Sequence, residues 1–337
     1  MESLNARHIS MLSSTKPAKR LRWLELMVFN SWLAQIESNL SRWLPRTKPL
    51  SFLALEKQLP ISLLIVTPNN RRGSCLSIQF PELISNPKEA SVKDIRKVLM
   101  DAAIEKEAKT AQSWLIRCPV NDLSQIATLR ELGFQPLKLF NSWSPISKSY
   151  LNVKVNTTYH DDLKWVDVNN SNVELLWSLE KRSESSQLRQ ILDRQLKDLL
   201  QNNNSYNRIL LAERDGNNTA IAGLVFREFS ENYIRLELLR DCAWDERLTP
   251  IISNIPIEKY NNNREIIIET SKEDEHLSEL LIRNGWIFKF EAILLGRSIW
   301  RRQDNRKKIN STKQIKSMLK NLGPQTPPLP TPSLEHR

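Results

Sequence analysis

Two glutamates in the second half of the chain could carry acid–base chemistry. Glu237 alternates with Leu236 and Leu238 in the segment 233–239, and Glu269 lies near the end of the segment 264–270. A carboxylate presented from a strand into a cleft can act as a general base by taking a proton from a reacting group. The alternative, a polar side chain that merely faces water, stays open for both residues.

Metal and hydrolase chemistry find little support in the residue types. The three cysteines (Cys75, Cys118 and Cys242) and the four histidines (His8, His160, His276 and His336) are scattered along the chain. Their spacing gives neither a CxxC clamp nor a pair of histidines on one helical turn. We therefore expect no metal site and no disulfide framework.

Two predicted helix starts and one loop could bind an anion. Ser91 with Asp94 forms an S-x-x-D capping pattern near Lys88, and Thr249 with Pro250 follows Arg247. Free backbone N–H groups and the helix dipole attract phosphate at such a point, although ordinary capped helices have the same pattern. The loop 69–74, with two arginines and a glycine, is either an anion or RNA contact or a plain hairpin turn.

The net charge of +11 belongs to the two ends of the chain. Residues 1–50 carry eight Lys/Arg against three acids and residues 301–337 carry nine against two, so the stretch between them is nearly neutral. The end 303–337, with five prolines between Pro324 and Pro332, predicts a disordered, basic, proline-rich tail. Contact with nucleic acid is therefore possible only through the basic termini.

From residue 50 onward, strand and helix patterns alternate in the same order twice. The first half predicts strands at 51–56, 61–66 and 75–80, a helix at 91–109, a strand at 113–118, a helix at 123–132 and an extended segment ending near Trp143. The second half predicts strands at 208–213, 220–226 and 233–239, a helix at 248–260, a strand at 264–270, a helix at 275–284 and a strand at 287–296.

Two glycine-aromatic pairs, Gly133-Phe134 and Gly285-Trp286, lie 152 residues apart. The same offset places the strand segment 114–118 on 266–270. An internal duplication explains both matches. We expect two similar domains, 1–149 with an N-terminal helical segment at 20–44 and 150–302, followed by the tail 303–337.

This element order resembles the GNAT superfamily of N-acetyltransferases, and the segments 122–134 and 210–226 are the most specific matches. The resemblance implies an α/β fold (an α+β mixed sheet) in two tandem acetyltransferase-like domains. It also implies acetyl-CoA as acyl donor, bound where the fourth strand of a copy parts from the fifth. The residues expected to hold it, all in the second copy, are Leu238, Leu239, Arg247, Leu248 and Thr249.

Both copies depart from the family's pattern. The glycines of the phosphate-binding motif Q/R-x-x-G-x-G/A are missing from the stretches 86–91 and 245–250, and the usual acid, a tyrosine four residues before the conserved glycine, is replaced by Leu129 and Leu281. In the first copy Gln79 and Arg117 stand at the places of the two glutamates. If one half is active, we expect it to be the second, with Glu237 and Glu269 as catalytic residues.

The sequence therefore predicts an N-acyltransferase that moves an acetyl group from acetyl-CoA to an amine. A catalytically degenerate relative that binds an acyl-CoA or a protein partner is the main alternative, and a nucleic-acid or ribosome-associated adaptor is a third. No apolar run approaches the roughly 20 residues that span a bilayer. With no secretory signal pattern in the sequence, we expect a cytoplasmic protein without a membrane span.

Overall fold

The computed structural model describes residues 49–145, 163–200, 206–214, 217–229, 233–241, 255 and 264–298. The first half follows the predicted order. Its elements are β1 (Leu50–Glu56), β2 (Leu59–Pro68), β3 (Cys75–Ile78), β4 (Glu82–Leu83), α1 (Val92–Glu107), β5 (Ser113–Pro119), α2 (Leu123–Glu131) and β6 (Gln135–Pro145).

The second half begins with elements that the sequence did not predict. These are β7 (Leu163–Asp167), α3 (Val173–Ser183), α4 (Ser186–Leu192) and α5 (Leu196–Leu199). The predicted elements follow as β8 (Arg208–Arg214), β9 (Asn217–Phe229), β10 (Tyr233–Arg240), β11 (Glu265–Ser271), α6 (Glu275–Arg283) and β12 (Trp286–Ser298). The helical segment at 20–44, the helix at 248–260 and the tail 303–337 lie outside the described residues.

The twelve strands of the described residues form one mixed sheet that runs through both halves, in the order β1-β2-β3-β5-β12-β6-β11-β10-β9-β8-β7, with β4 paired to β2. The parallel pairs are β3 with β5 and β10 with β11. Helices α1, α2 and α6 bury their apolar stripes on one face of the sheet, and α3 and α4 cover the other. The α/β mixed-sheet prediction is confirmed, while the predicted domain boundaries stay a prediction.

The last strands of the two halves are exchanged. β12 lies between β5 and β6, and β6 lies between β12 and β11, so each half pairs its fifth strand with the other half's last one. Arg117 on β5 faces Leu294, and Glu269 on β11 faces Ser142. The two pairings are equivalent, because the 152-residue offset takes Arg117 to Glu269 and Ser142 to Leu294. The duplication read from the sequence is therefore an approximate two-fold symmetry of the sheet.

The helix ends repeat the same offset. Asp122 caps α2 and Asp274 caps α6, each with its carboxylate accepting the backbone N–H three residues further on. After these helices the chain turns at Gly133 and Gly285, whose φ angles are +82° and +78°. An L side chain disfavours this left-handed conformation, so both turns need glycine.

Candidate functional site

The parallel strands β10 and β11 part from each other inside the second half. They pair from Tyr233 opposite Glu265 as far as Glu237 opposite Glu269. Beyond that point, within the described residues, β10 continues against β9 alone and β11 against β6 alone. The parting of these strands, here called the fork, leaves one backbone edge of Leu238 and Leu239 without a strand partner among the described residues.

The fork brings together four of the seven predicted site residues. Glu237 and Glu269 are partners in the last parallel pair, so their side chains lie on the same face of the sheet. Leu238 and Leu239 follow at once, with buried side chains that point to opposite faces. The other three predicted residues, Arg247, Leu248 and Thr249, lie outside the described residues.

Glu237 is held between two cations. Its carboxylate is 2.6 Å from Nε of Arg227 on β9 and 2.8 Å from Nζ of Lys138 on β6, and the residue is only 2% exposed. Burial acts to raise the pKa of Glu237, but Arg227, Lys138 and Arg117 together hold it well below its usual range. Glu237 is therefore an ionised carboxylate at neutral pH.

Glu269 is also fully buried and lies among arginines. Arg117 from β5 of the first half contacts its carboxylate through Nη1, and Nε of Arg235 on β10 is 3.5 Å away. Burial, followed by the charge of Arg235, lowers the pKa of Arg117 to about 9. The guanidinium of Arg117 also lies over the ring of Phe140, 4.1 Å from its centroid.

A third carboxylate, Glu184, completes the cluster, and the sequence did not single it out. It is the C-cap residue of α3, is 6% exposed, and bonds to Nζ of Lys138 at 2.9 and 3.0 Å. Burial and the charge of Glu237 raise the pKa of Glu184 to about 7, against the pull of Lys138 and Arg227. One more glutamate, Glu180 on α3, is bound by Arg194 and Arg227.

The first half supplies two of these cations, Arg117 and Lys138, to the fork of the second half. Lys138 lies at the fork because its strand, β6, is exchanged and pairs with β11. Arg117 reaches the fork because its side chain lies on the face of β5 that α3 and α4 cover. The sequence signal for Lys138 is its position between Leu137 and Leu139, since a lysine among apolar residues needs a counter-ion when it is buried. Glu180 and Glu184, four residues apart, had no predicted element to place them.

The fork of the first half lacks the carboxylates. Its parallel pair ends at Ile78 opposite Ile116, and the next residues are Gln79 and Arg117. The predicted correspondence of Gln79 with Glu237 and of Arg117 with Glu269 therefore agrees with the strand registers. The first fork carries no acid at either place.

A carboxylate of the protein itself, that of Glu56, binds the loop before α1 in the first half. Glu56, the last residue of β1, accepts the backbone N–H of Lys88 at 3.1 and 3.2 Å and that of Glu89 at 2.8 Å. These two hydrogen bonds lower the pKa of Glu56. Ser91 caps the helix, accepting from the backbone N–H of Asp94, as the capping pattern predicted. The backbone N–H groups of Lys88, Glu89 and Asp94 thus already have side-chain acceptors.

The positions of the missing tyrosines are filled by core side chains. Leu129 on α2 and Leu281 on α6 are both fully buried, each in the apolar cluster under its helix. Neither can donate a proton. The usual acid is therefore absent at both predicted places.

The loop 69–74 contacts the other half of the chain. Asn70 donates to the carbonyl oxygens of Leu192 and Asp193 at 3.1 Å, and Ser74 donates to the carboxylate of Asp193 at 2.6 Å. Arg72 forms an ion pair with the same carboxylate at 2.6 Å. The anion that this loop binds is Asp193 at the end of α4, so the loop is a hairpin connection that docks the two halves together.

The described residues show neither a membrane-spanning helix nor a metal-binding group. None of their helices is long and apolar enough to cross a membrane. Within the same part of the chain, no group of three or more His, Cys, Asp or Glu side chains is arranged to hold a metal ion.

Comparison with solved structures identifies the fold. The chain is similar to a tandem GNAT protein from the clavulanic acid biosynthesis pathway, solved without acetyl-CoA, with a TM-score of 0.52 and 11% identity over 89% of this chain and 98% of that one. A GCN5-related N-acetyltransferase from Sphaerobacter thermophilus aligns with a TM-score of 0.48 and 12% identity over 74% of this chain and 81% of that one. No model of a protein family and no curated protein matches the sequence.

The protein thus has the GNAT acetyltransferase fold in two tandem copies, as its sequence predicted. The fork of the second copy, with its buried cluster of carboxylates and cations, is the candidate site.

Proposed function

We propose that this protein is an N-acyltransferase that moves the acetyl group of acetyl-CoA to an amine, and that its single reaction centre is the fork of the second half. The observation that carries the proposal is the parting of β10 and β11 directly after Glu237 and Glu269. In the GNAT fold this is the place where the acyl donor enters. The first fork has no acid at either position, which favours one centre in each chain.

The described residues at the second fork fit the pantetheine arm of the donor. The backbone edge of Leu238 and Leu239 can exchange hydrogen bonds with the amide groups of the arm, as a neighbouring strand would. Arg247, Leu248 and Thr249 are the proposed contacts for the phosphate groups of acetyl-CoA. When bound, acetyl-CoA supplies the activated thioester carbonyl.

The charged residues of the fork bind and orient the amine. Glu237 and Glu269 are the proposed catalytic carboxylates because they end the parallel pairing and can accept the N–H groups of a substrate. Lys138 pairs with Glu237 and Arg117 pairs with Glu269, so each acid has a cation in a buried place where an unpaired carboxylate would be strongly disfavoured. Helices α3 and α4 cover this face and exclude water, which strengthens each electrostatic interaction.

A catalytically degenerate acyl-CoA or protein-binding module is the second candidate. Two observations favour it, namely the buried Leu129 and Leu281 at the places of the acid and the Glu56 carboxylate in the first half's anion loop. An enzyme with this site must protonate the leaving thiolate from another group. A binding module has no such need.

Thiol release separates the two candidates. The full chain is incubated with acetyl-CoA and a mixture of primary amines, and free CoA thiol is followed over time beside a calorimetric titration of acetyl-CoA. Binding with amine-dependent thiol release supports the acyltransferase. Binding without release at any amine supports the degenerate module, and no binding at millimolar acetyl-CoA contradicts both acyl-CoA functions.

A further inference from the structure

Glu184 and Glu237 share one ammonium group. Nζ of Lys138 lies 2.9 Å from Oε1 of Glu184 and 2.8 Å from Oε1 of Glu237. The side chains of both acids are almost fully enclosed, so solvent cannot compensate their charges. Two carboxylates that share one cation in a buried place behave as a coupled pair.

The two acids do not share the surrounding charge equally. Glu237 has a second cation at hydrogen-bond distance, since Nε of Arg227 is 2.6 Å away. The same guanidinium is 4.0 Å from Glu184, beyond hydrogen-bond distance. A proton added to the pair therefore goes to Glu184, the less compensated member. The raised pKa of Glu184, about 7, agrees with this geometry.

The neighbouring elements add no further counter-ion to Glu184 among the described residues. Arg194 binds Glu180 on the α3 side at 2.5 Å. Arg117 on β5 contacts Glu269 and lowers the pKa of Glu237 by its charge. The charged groups that act most strongly on Glu184 are Glu237 from β10, Lys138 from β6 and Arg227 from β9. Glu180, one helical turn earlier on α3, lies 3.3 Å from the same Nη2 of Arg227 and so competes for this cation.

We propose that Glu184 is the carboxylate of this site that receives and returns the transferred proton, and that Lys138, supplied by the first half, is its positioning residue. This inference rests on the proposed acyl transfer. Glu237 stays ionised and orients the amine at the fork. The first copy is then a working part of the second copy's site, because its exchanged strand carries the ammonium group that joins the two acids.

The proton balance of the transfer is simple. The amine nitrogen forms a bond to the thioester carbonyl carbon, and the carbon–sulfur bond breaks with its electron pair leaving on sulfur. The proton lost by nitrogen goes to Glu184 and is returned to the thiolate. This route needs no separate acid at the places of Leu129 and Leu281, because one carboxyl group with a pKa near neutrality can act first as the base and then as the acid.

Proton linkage tests the inference without acetyl-CoA. The unfolding equilibrium of the full chain is measured in urea from pH 5 to 8 for the natural protein and for Glu184→Gln. Because the folded pKa lies above the unfolded one, Glu184 stabilises the fold at low pH and this stabilisation is lost as the pH rises to about 7. The unfolding constant of the natural protein, divided by that of the variant, should rise by roughly tenfold per pH unit between pH 5 and 7 and then level off. A constant ratio overturns the proposal.

Variants at Lys138 keep the test decisive if Glu184→Gln does not fold. The unfolding constant of Lys138→Met, divided by that of the natural protein, should keep rising between pH 7 and 8, because the pKa of Glu184 is higher without the ammonium group. The same ratio for Lys138→Arg should stay level above pH 7. Phe290→Met is the matched control, because residue 290 stands at the place of Lys138 in the second copy's last strand. A ratio for Lys138→Met that is already level above pH 7 contradicts the role of Lys138. Failure of acetyl-CoA to bind would remove the acyltransferase function and leave this proton measurement unaffected.

Discussion

Phe140 pairs with Ala292 at the centre of the sheet, and each is the other's counterpart at the 152-residue offset. Their antiparallel pairing therefore marks the approximate two-fold axis between the tandem copies. The pair also lies in the apolar cluster beneath α4, close to Lys138 and Arg117. The candidate site is built beside this axis, from residues that the symmetry does not repeat.

Replacement of Lys138 should destabilise the fold. Lys138→Met leaves Glu184 without its closest cation and removes one of the two cations that contact Glu237, a loss on the order of 3 kcal/mol at pH 8. The control Phe290→Met, a change between apolar side chains at the symmetric place, should cost less than about 1.5 kcal/mol. Urea unfolding followed by circular dichroism measures both. Equal effects would mean that Lys138 contributes packing and no charge compensation.

The two aspartate caps should behave as a related pair. Asp122→Ala removes one capping hydrogen bond and should cost about 1 kcal/mol. Asp274→Ala should cost more, because Asp274 also pairs with Arg240 through two nitrogen atoms. Chemical denaturation of each variant provides the comparison. A larger loss at Asp122 than at Asp274 would contradict this order.

Glu56 should contribute stability that acid removes. Its folded pKa is lowered by the amides of Lys88 and Glu89, so the stabilisation is present above pH 4.5 and is lost as the pH falls through the lower, folded value. In Glu56→Gln the loss of stability on acidification should be smaller than in the natural protein. Thermal melting between pH 3 and 6 tests this, and parallel acid dependence in the two proteins would speak against it.

Acetyl-CoA affinity should depend on Arg247 and not on Lys88. Arg247→Glu should weaken binding by about 1–3 kcal/mol, the scale of a lost charge-assisted contact together with a repulsion. Lys88→Glu changes the charge equally but lies in the loop whose amides Glu56 already fills. Titration calorimetry on both variants gives the answer. A stronger effect at Lys88 would place the phosphates in the first copy.

Removal of residues 303–337 should leave the melting temperature nearly unchanged. The segment contains few large apolar side chains, so its loss exposes little buried surface. Differential scanning calorimetry of the shortened and full chains measures the difference. A fall of many degrees would show that the segment packs on the rest of the chain.

Local patterns in the sequence were enough to predict most of the fold. Alternation in 233–239, the capping serine at 91 and the glycines at 133 and 285 each act through neighbouring residues, and the predicted elements at these places are confirmed. The start of the second half was missed. Helices α4 and α5 span only seven and four residues, too few for a helical period to show in a single sequence. Helix α3 spans 11 residues and carries Val173, Leu176 and Leu179 at three-residue steps, so its pattern was present in the sequence although the helix was not predicted.

The exchange of last strands could not be predicted from the sequence. Strands β6 and β12 carry similar patterns, and pairing within a copy or between copies satisfies each pattern equally well. Alternation was enough to single out Glu237 and Glu269. The pairing of Lys138 and Arg117 with these glutamates depends on the strand exchange and could not be predicted. Placing Glu184 in the site would have required both helix α3, which was not predicted, and the exchanged strand β6.

Calorimetric titration of acetyl-CoA into the full chain tests the central claim most directly. The account predicts one binding site per chain, weakened by Arg247→Glu and preserved in Lys88→Glu. Two equal sites, or no binding at millimolar acetyl-CoA, would contradict a single reaction centre at the fork of the second half.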